Sequence, residues 1–149
     1  MKLDLHTYLR PISGDYSPLT PEQAREVERL VGFELPASYT AFASDFGGGG
    51  VFQGEATVKT DDGRELAVFT IFGGVALTPS VLEDLKAHPE WQEAGLIPIA
   101  DDMFNNRFLL ECRTGKIHFI EYSEGVSRAF EVAPSFEAFV ERVEVVLDE

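Results

Sequence analysis

The chain has 149 residues, 44% of them hydrophobic, enough for one domain with a real core and too few to expect two. Its 26 acidic against 12 basic side chains give a formal net charge of -14, which argues against direct nucleic-acid binding, since that depends on a basic face. No apolar run approaches the length that spans a bilayer, the start MKLDLHTYLRP lacks the apolar centre of a signal peptide, and a single cysteine, Cys112, excludes an internal disulfide; the expected location is the cytosol.

Residues 1–18 contain Pro11, Gly14 and Pro18 and no sustained period, which predicts a short arm lying on a domain formed by residues 19–149. Thr20 then suits an N-cap, Pro21 the first helical position, and Gln23 the reciprocal place in a capping box. Ala24, Val27, Leu30 and Val31 recur on one helical face, and Gly32 can take the left-handed conformation that ends the helix. Leu35 is held extended by Pro36, after which Tyr39, Phe42, Ala43 and Phe46 mark the inner face of a second helix. Gly47 to Gly50 stop it. A phosphate cradle needs its glycines ahead of a helix, whereas these follow one and lead into a strand.

Residues 51–59 and 65–72 are rich in Val, Phe and Thr and flank Asp61, Asp62 and Gly63, predicting a hairpin. Thr78 and Pro79 repeat the cap-then-proline signal for a crossover helix with Val81, Leu82 and Leu85 inward, ending near His88 and Pro89. Residues 96–100, 107–112, 116–122 and 127–132 read as four further strands separated by short turns. Ser135 caps a last helix with Phe136, Phe139, Val140, Val143 and Leu147 inward and Glu137, Glu141 and Glu144 outward. Strands grouped between helices predict a single α+β domain: a largely antiparallel sheet, an N-terminal helix pair, a crossover helix and a C-terminal helix.

The densest polar cluster on a predicted loop is Asp101, Asp102, Asn105 and Asn106, residue types that bind basic side chains and also build turns from their own side chains. Met103 and Phe104 interrupt it, so it lacks the regular ligand alternation of a calcium loop. Trp91, the one tryptophan, stands near acids at a helix end, where it suits an interface anchor or core packing under the crossover helix. His6, His88 and His118 have no metal-ligand spacing, and Cys112 lies in an apolar run that favours a buried thiol over a nucleophile. No constellation points to catalysis, a metal or a cofactor. The acidic excess would attract a basic protein over distances near the Debye length; it also serves solubility and a monomeric state.

Gly32, Leu35, Pro36, Tyr39, Phe42, Gly47 and Gly48 reproduce a Gly-x-x-Leu-Pro joint, a Tyr-x-x-Phe helix and a Gly-Gly pair. With Gly95-Leu-Ile-Pro-Ile-Ala-Asp-Asp102, Thr114-Gly-Lys-Ile-His-Phe119 and Val132-Ala-Pro-Ser-Phe-Glu-Ala-Phe139, the chain resembles the SMI1/KNR4 family, or SUKH superfamily. It departs from it in having Asn105-Asn106 where Gly-Asn is frequent, and Glu121-Tyr122-Ser123 where an aromatic-Asp-His run is frequent. The resemblance implies an α+β fold and a protein-binding role, in many bacterial members that of an immunity protein neutralising a toxin, often a nuclease. The partner would then be a basic toxin domain, met by Asp101, Asp102, Asn105, Asn106, Glu121 and Trp91. A regulatory scaffold like the fungal cell-wall synthesis regulators of the family is the alternative.

Overall fold

Thr20 takes an extended backbone ahead of Pro21, accepts the Gln23 amide on its hydroxyl at 3.2 Å, and donates its own amide to Gln23 Oε1 at 2.9 Å. The capping box therefore forms as its spacing predicts, satisfying donors that a helix start leaves open. It opens helix α1 (Pro21–Val31) in the computed structural model, which describes residues 8–11, 20–46, 49–72, 81–121 and 124–147. Val27 and Val31 are buried, and α1 ends at Gly32 in the left-handed region with φ +79°, its amide bonded to the Glu28 carbonyl. The Glu28 carboxylate accepts the Leu35 amide at 2.8 Å and so fixes the turn into α2 (Ala37–Phe46), where Tyr39, Phe42 and Ala43 are buried. Gly47 and Gly48, His6, Tyr122 and Ser123, the Thr78 and Pro79 helix start, and the Phe46 and Leu147 side chains lie outside the described residues.

The sheet contains β1 (Leu9–Pro11), β2 (Gly50–Lys59), β3 (Glu65–Ile71), β4 (Leu96–Asp101), β5 (Arg107–Glu111), β6 (Ile117–Ile120), β7 (Phe130–Ala133) and β8 (Val143–Leu147). Strands β1 to β7 lie in sequence order, every pairing is antiparallel, and β8 also joins β2. Because β3 occupies one edge of β2, β1 and β8 share the other: β1 opposite Gly50, Val51 and Phe52, and β8 opposite residues 54–58. Leu9 is fully buried, and a Cβ at Gly50 would stand 2.5 Å from its Cγ, so glycine is what lets β1 approach. Part of the N-terminal arm is thus a strand of the sheet, too short for its period to show in sequence.

Helices α3 (Val81–Ala87) and α4 (Pro89–Glu93) pack on β4, and α5 (Phe136–Arg142) packs on α2 and β7. This is a single α+β domain with a mostly antiparallel sheet. Its centre is aromatic. Phe136 lies edge-on to Tyr39 at 5.3 Å and 5.2 Å from Phe42, while Phe139 lies 5.2 Å from Phe108, clamping α5 between α2 and the sheet.

Three local expectations are corrected. The last helix stops at Arg142, and Val143 to Leu147 form β8 instead of continuing the helix, because β-branched Val143, Val145 and Val146 can pair with the open half of β2. Ser127 and Arg128 belong to a 3-10 turn, Val126–Arg128, so β7 starts only at Phe130. Pro89 ends α3 but also opens α4, since its fixed φ fits a first helical position; Gln92 Nε2 then donates to the Leu85 carbonyl at 2.7 Å and ties the two helices.

Candidate functional site

Strand β4 leaves the sheet through Asp101 and Asp102, and β5 enters it at Arg107, so the polar cluster forms a tight connection at one end of the sheet. Asp101 pairs with Thr70 of β3 and accepts its amide on Oδ1 at 3.1 Å. Burial pushes the Asp101 carboxyl up to about 6, against the pull of the Arg107 guanidinium.

Asp102 builds the turn. It is buried, its Oδ1 accepts the amides of Phe104 at 2.8 Å and Asn106 at 3.0 Å, and its Oδ2 accepts the Asn106 side-chain amide at 2.8 Å. Asn105 takes φ +67°, a left-handed conformation that asparagine tolerates. Its carbonyl and its Oδ1 each accept from Arg107 Nη1 at 2.8 Å.

Arg107 fastens this loop to the helices. Its Nε donates to Asp84 Oδ2 of α3 at 2.7 Å and its Nη2 to Oδ1 at 3.5 Å, in a pair whose side chains are 13% and 15% exposed. The Asp84 carbonyl accepts from His88 Nδ1 at 3.0 Å, and the His88 ring stacks on Trp91 at 3.7 Å and 9°. Trp91 is 5% exposed, so the structure places it inside, stacked under the crossover helices, and not at a half-exposed edge. Among the described residues it is linked to the loop through His88, Asp84 and Arg107.

Glu121 is exposed and follows Ile120, whose register partner is Arg107, so it stands at the same end of the sheet as the loop. The structure thus brings Asp101, Asp102, Asn105, Asn106 and Glu121 to one end and leaves Trp91 beneath it. Met103 and Phe104, at the tip, are 74% and 80% exposed, the most open large apolar side chains among the described residues. Sequence reasoning treated them as an interruption; the available signal was a pair of large apolar residues inside a turn. Asp84 and Arg107 were also missed, since their partnership spans 23 positions.

The remaining candidates are engaged elsewhere. His118 Nε2 lies 3.4 Å from Glu111 Oε1, and the Thr114 hydroxyl, 2.6 Å from the same oxygen, leads in holding the Glu111 carboxyl below the usual range. Burial, reinforced by Glu28 and Glu111, pushes the Cys112 thiol up to about 12, where little thiolate exists at neutral pH. Among the described residues no group of three His, Cys, Asp or Glu side chains converges on a metal position, and no helix is long and apolar enough to cross a membrane. The loop end offers fixed acceptors and two open apolar side chains, an arrangement suited to contact with another macromolecular surface.

The model of the SMI1 / KNR4 family (SUKH-1) matches residues 18–142, from the start of α1 to the end of α5, and no curated protein matches the chain. The match leaves out β1 and β8, the two strands that fill the second edge of β2.

Proposed function

The chain belongs to the SMI1 / KNR4 family (SUKH-1), and from that membership we propose that it is a non-enzymatic, cytoplasmic immunity protein that binds a basic toxin domain and covers its active surface. Members of this family are often immunity proteins, and charge supports a partner of that chemistry. The 26 acidic side chains outnumber the 12 basic ones, and Arg107, the cation of the loop itself, is held by Asp84 at 2.7 Å. A nuclease surface that receives nucleic acid is basic and would be steered towards such a field.

The proposed interface is the connection between β4 and β5. Glu121 and the exposed Asn105 meet the partner; Asp101, Asp102 and Asn106 hold the loop in the shape it presents, and Trp91 supports it from below. Recognition of this kind involves no proton transfer or covalent step by the chain.

The test is affinity capture from the native organism at low salt, with mass spectrometry, followed by growth rescue of the most basic captured partner co-expressed with this chain. The expected result is a toxic partner that this chain neutralises, with an association rate that falls as salt rises. Recovery of housekeeping proteins alone, with no toxicity to relieve, would replace the proposal with a regulatory scaffold of the same family.

A further inference from the structure

Exposed apolar side chains are ordinary on a protein surface when scattered singly, but Met103 and Phe104 are adjacent, 74% and 80% exposed, and carried on a loop whose shape is fixed from within. Asp102 accepts the amide of Phe104 itself, and Arg107 locks the next residue, Asn105, by both its carbonyl and its side chain. A tip held in this way loses little backbone entropy on binding. Methionine adapts its shape to irregular pockets, and phenylalanine supplies rigid area with few rotatable bonds.

The surroundings say what covers the tip. Glu121 is exposed beside it and Asp101 partly so, Asp102 being turned into the loop, and Arg107, the cation of the loop, is paired with Asp84. The rim is therefore acidic. A second copy of this chain would bring another -14 to the contact, and an anionic membrane would repel it in the same way. The complementary surface is an apolar pocket bordered by Lys or Arg on a different protein.

We propose that Met103 and Phe104 form the anchor of the protein-binding site, a preformed apolar finger that enters a basic-rimmed apolar pocket of the partner, with Glu121 on its rim. This deepens the immunity reading and rests on it for the biological identity of the partner; the chemistry of the contact rests on the loop alone. The acids of the loop then act chiefly by shaping and by steering, and the apolar pair sets how long the complex lasts.

The experiment places photoreactive p-benzoylphenylalanine at Phe104 in the full chain, expressed in the native organism, with the same group at Val146 of β8, also exposed, as the control. The expected result is a position-104 adduct absent from the control, mapped to an apolar segment flanked by Lys or Arg, and lost when Met103→Asp is added. Adducts shared by both positions, adducts on acidic surfaces, or no adduct at position 104 would overturn the anchor. Against any toxin that the rescue experiment identifies, Met103→Ser with Phe104→Ser should raise Kd about 30-fold or more, chiefly through faster dissociation, with an unchanged unfolding midpoint. Neutralisation that survives this double substitution overturns the anchor and leaves the immunity reading standing. A specific position-104 adduct on a basic partner without toxicity overturns the immunity reading and leaves the anchor standing.

Discussion

Arg107 Nε lies 2.7 Å from Asp84 Oδ2, and through that contact the start of β5 is fastened to α3. The pair is mostly out of solvent, so removing one partner strands a charge. Asp84→Ala is expected to lower unfolding free energy by about 2 kcal/mol, below the roughly 3 to 5 kcal/mol of a fully buried pair, because Arg107 keeps its Asn105 acceptors. Urea denaturation of Asp84→Ala, Arg107→Met and the double variant checks this. Recovery of part of the loss in the double variant is expected; simple additivity would dissolve the partnership.

Asp101 gives a pH dependence of a definite sign. Its folded-state pKa is raised from 3.8 to about 6, with burial as the leading cause, so between these values the folded state binds more protons than the unfolded chain. The stability it contributes is complete below pH 3.8 and is lost as pH rises through about 6. Solvent screening at this half-buried group limits the effect to about 1 kcal/mol. Asp101→Asn, which keeps an acceptor for the Thr70 amide, should be the more stable form at pH 7 and should flatten this part of the profile. A chemical-denaturation series from pH 4 to 7 on both proteins reads the difference; identical slopes would mean that Asp101 titrates as an ordinary carboxyl.

The core and the tip should respond oppositely to loss of an aromatic ring. Phe139 is fully buried between Phe108 and Phe136, and Phe139→Ala should cost about 3 to 5 kcal/mol. Phe104→Ala, at an 80% exposed position, should leave stability within about 0.5 kcal/mol of the parent. Thermal unfolding of the two variants side by side decides it, and a large loss at Phe104 would show that the tip is packed.

How much of this was legible in the sequence depended on the range of the interaction. The capping box at Thr20 and Gln23, the left-handed stop at Gly32 and the N-cap at Ser135 are contacts within a few residues, and each forms as the residue types require. The C-terminal strand was hidden because Phe136, Phe139, Val140, Val143 and Leu147 satisfy a helical period; what ends the helix is a vacant stretch of β2 edge, supplied from residues 54–58. The loop was found as a polar cluster, yet its roles were divided otherwise than composition suggests. Asp102 turns inward to bond Phe104 and Asn106, while the apolar Met103 and Phe104 face solvent. Trp91 could be placed only once His88 was seen to stack on it.

Asp102 joins stability to presentation, so its removal should separate the two. Asp102→Ala deletes the acceptors of the Phe104 and Asn106 amides and of the Asn106 side chain, leaving donors without their partner in a part-buried turn. A loss of about 2 kcal/mol is expected, within the range for stranded buried donors. Hydrogen exchange should show the Phe104 and Asn106 amides opening faster, while amides in the centre of the sheet, such as Leu109 paired with His118, change only by the global loss. At a temperature where the variant remains folded, the Met103 and Phe104 tip should still be exposed but no longer preset, so partner dissociation should quicken more than stability alone dictates. Unaltered exchange at Phe104 and Asn106 would mean that the backbone, and not the Asp102 carboxylate, holds the loop in shape.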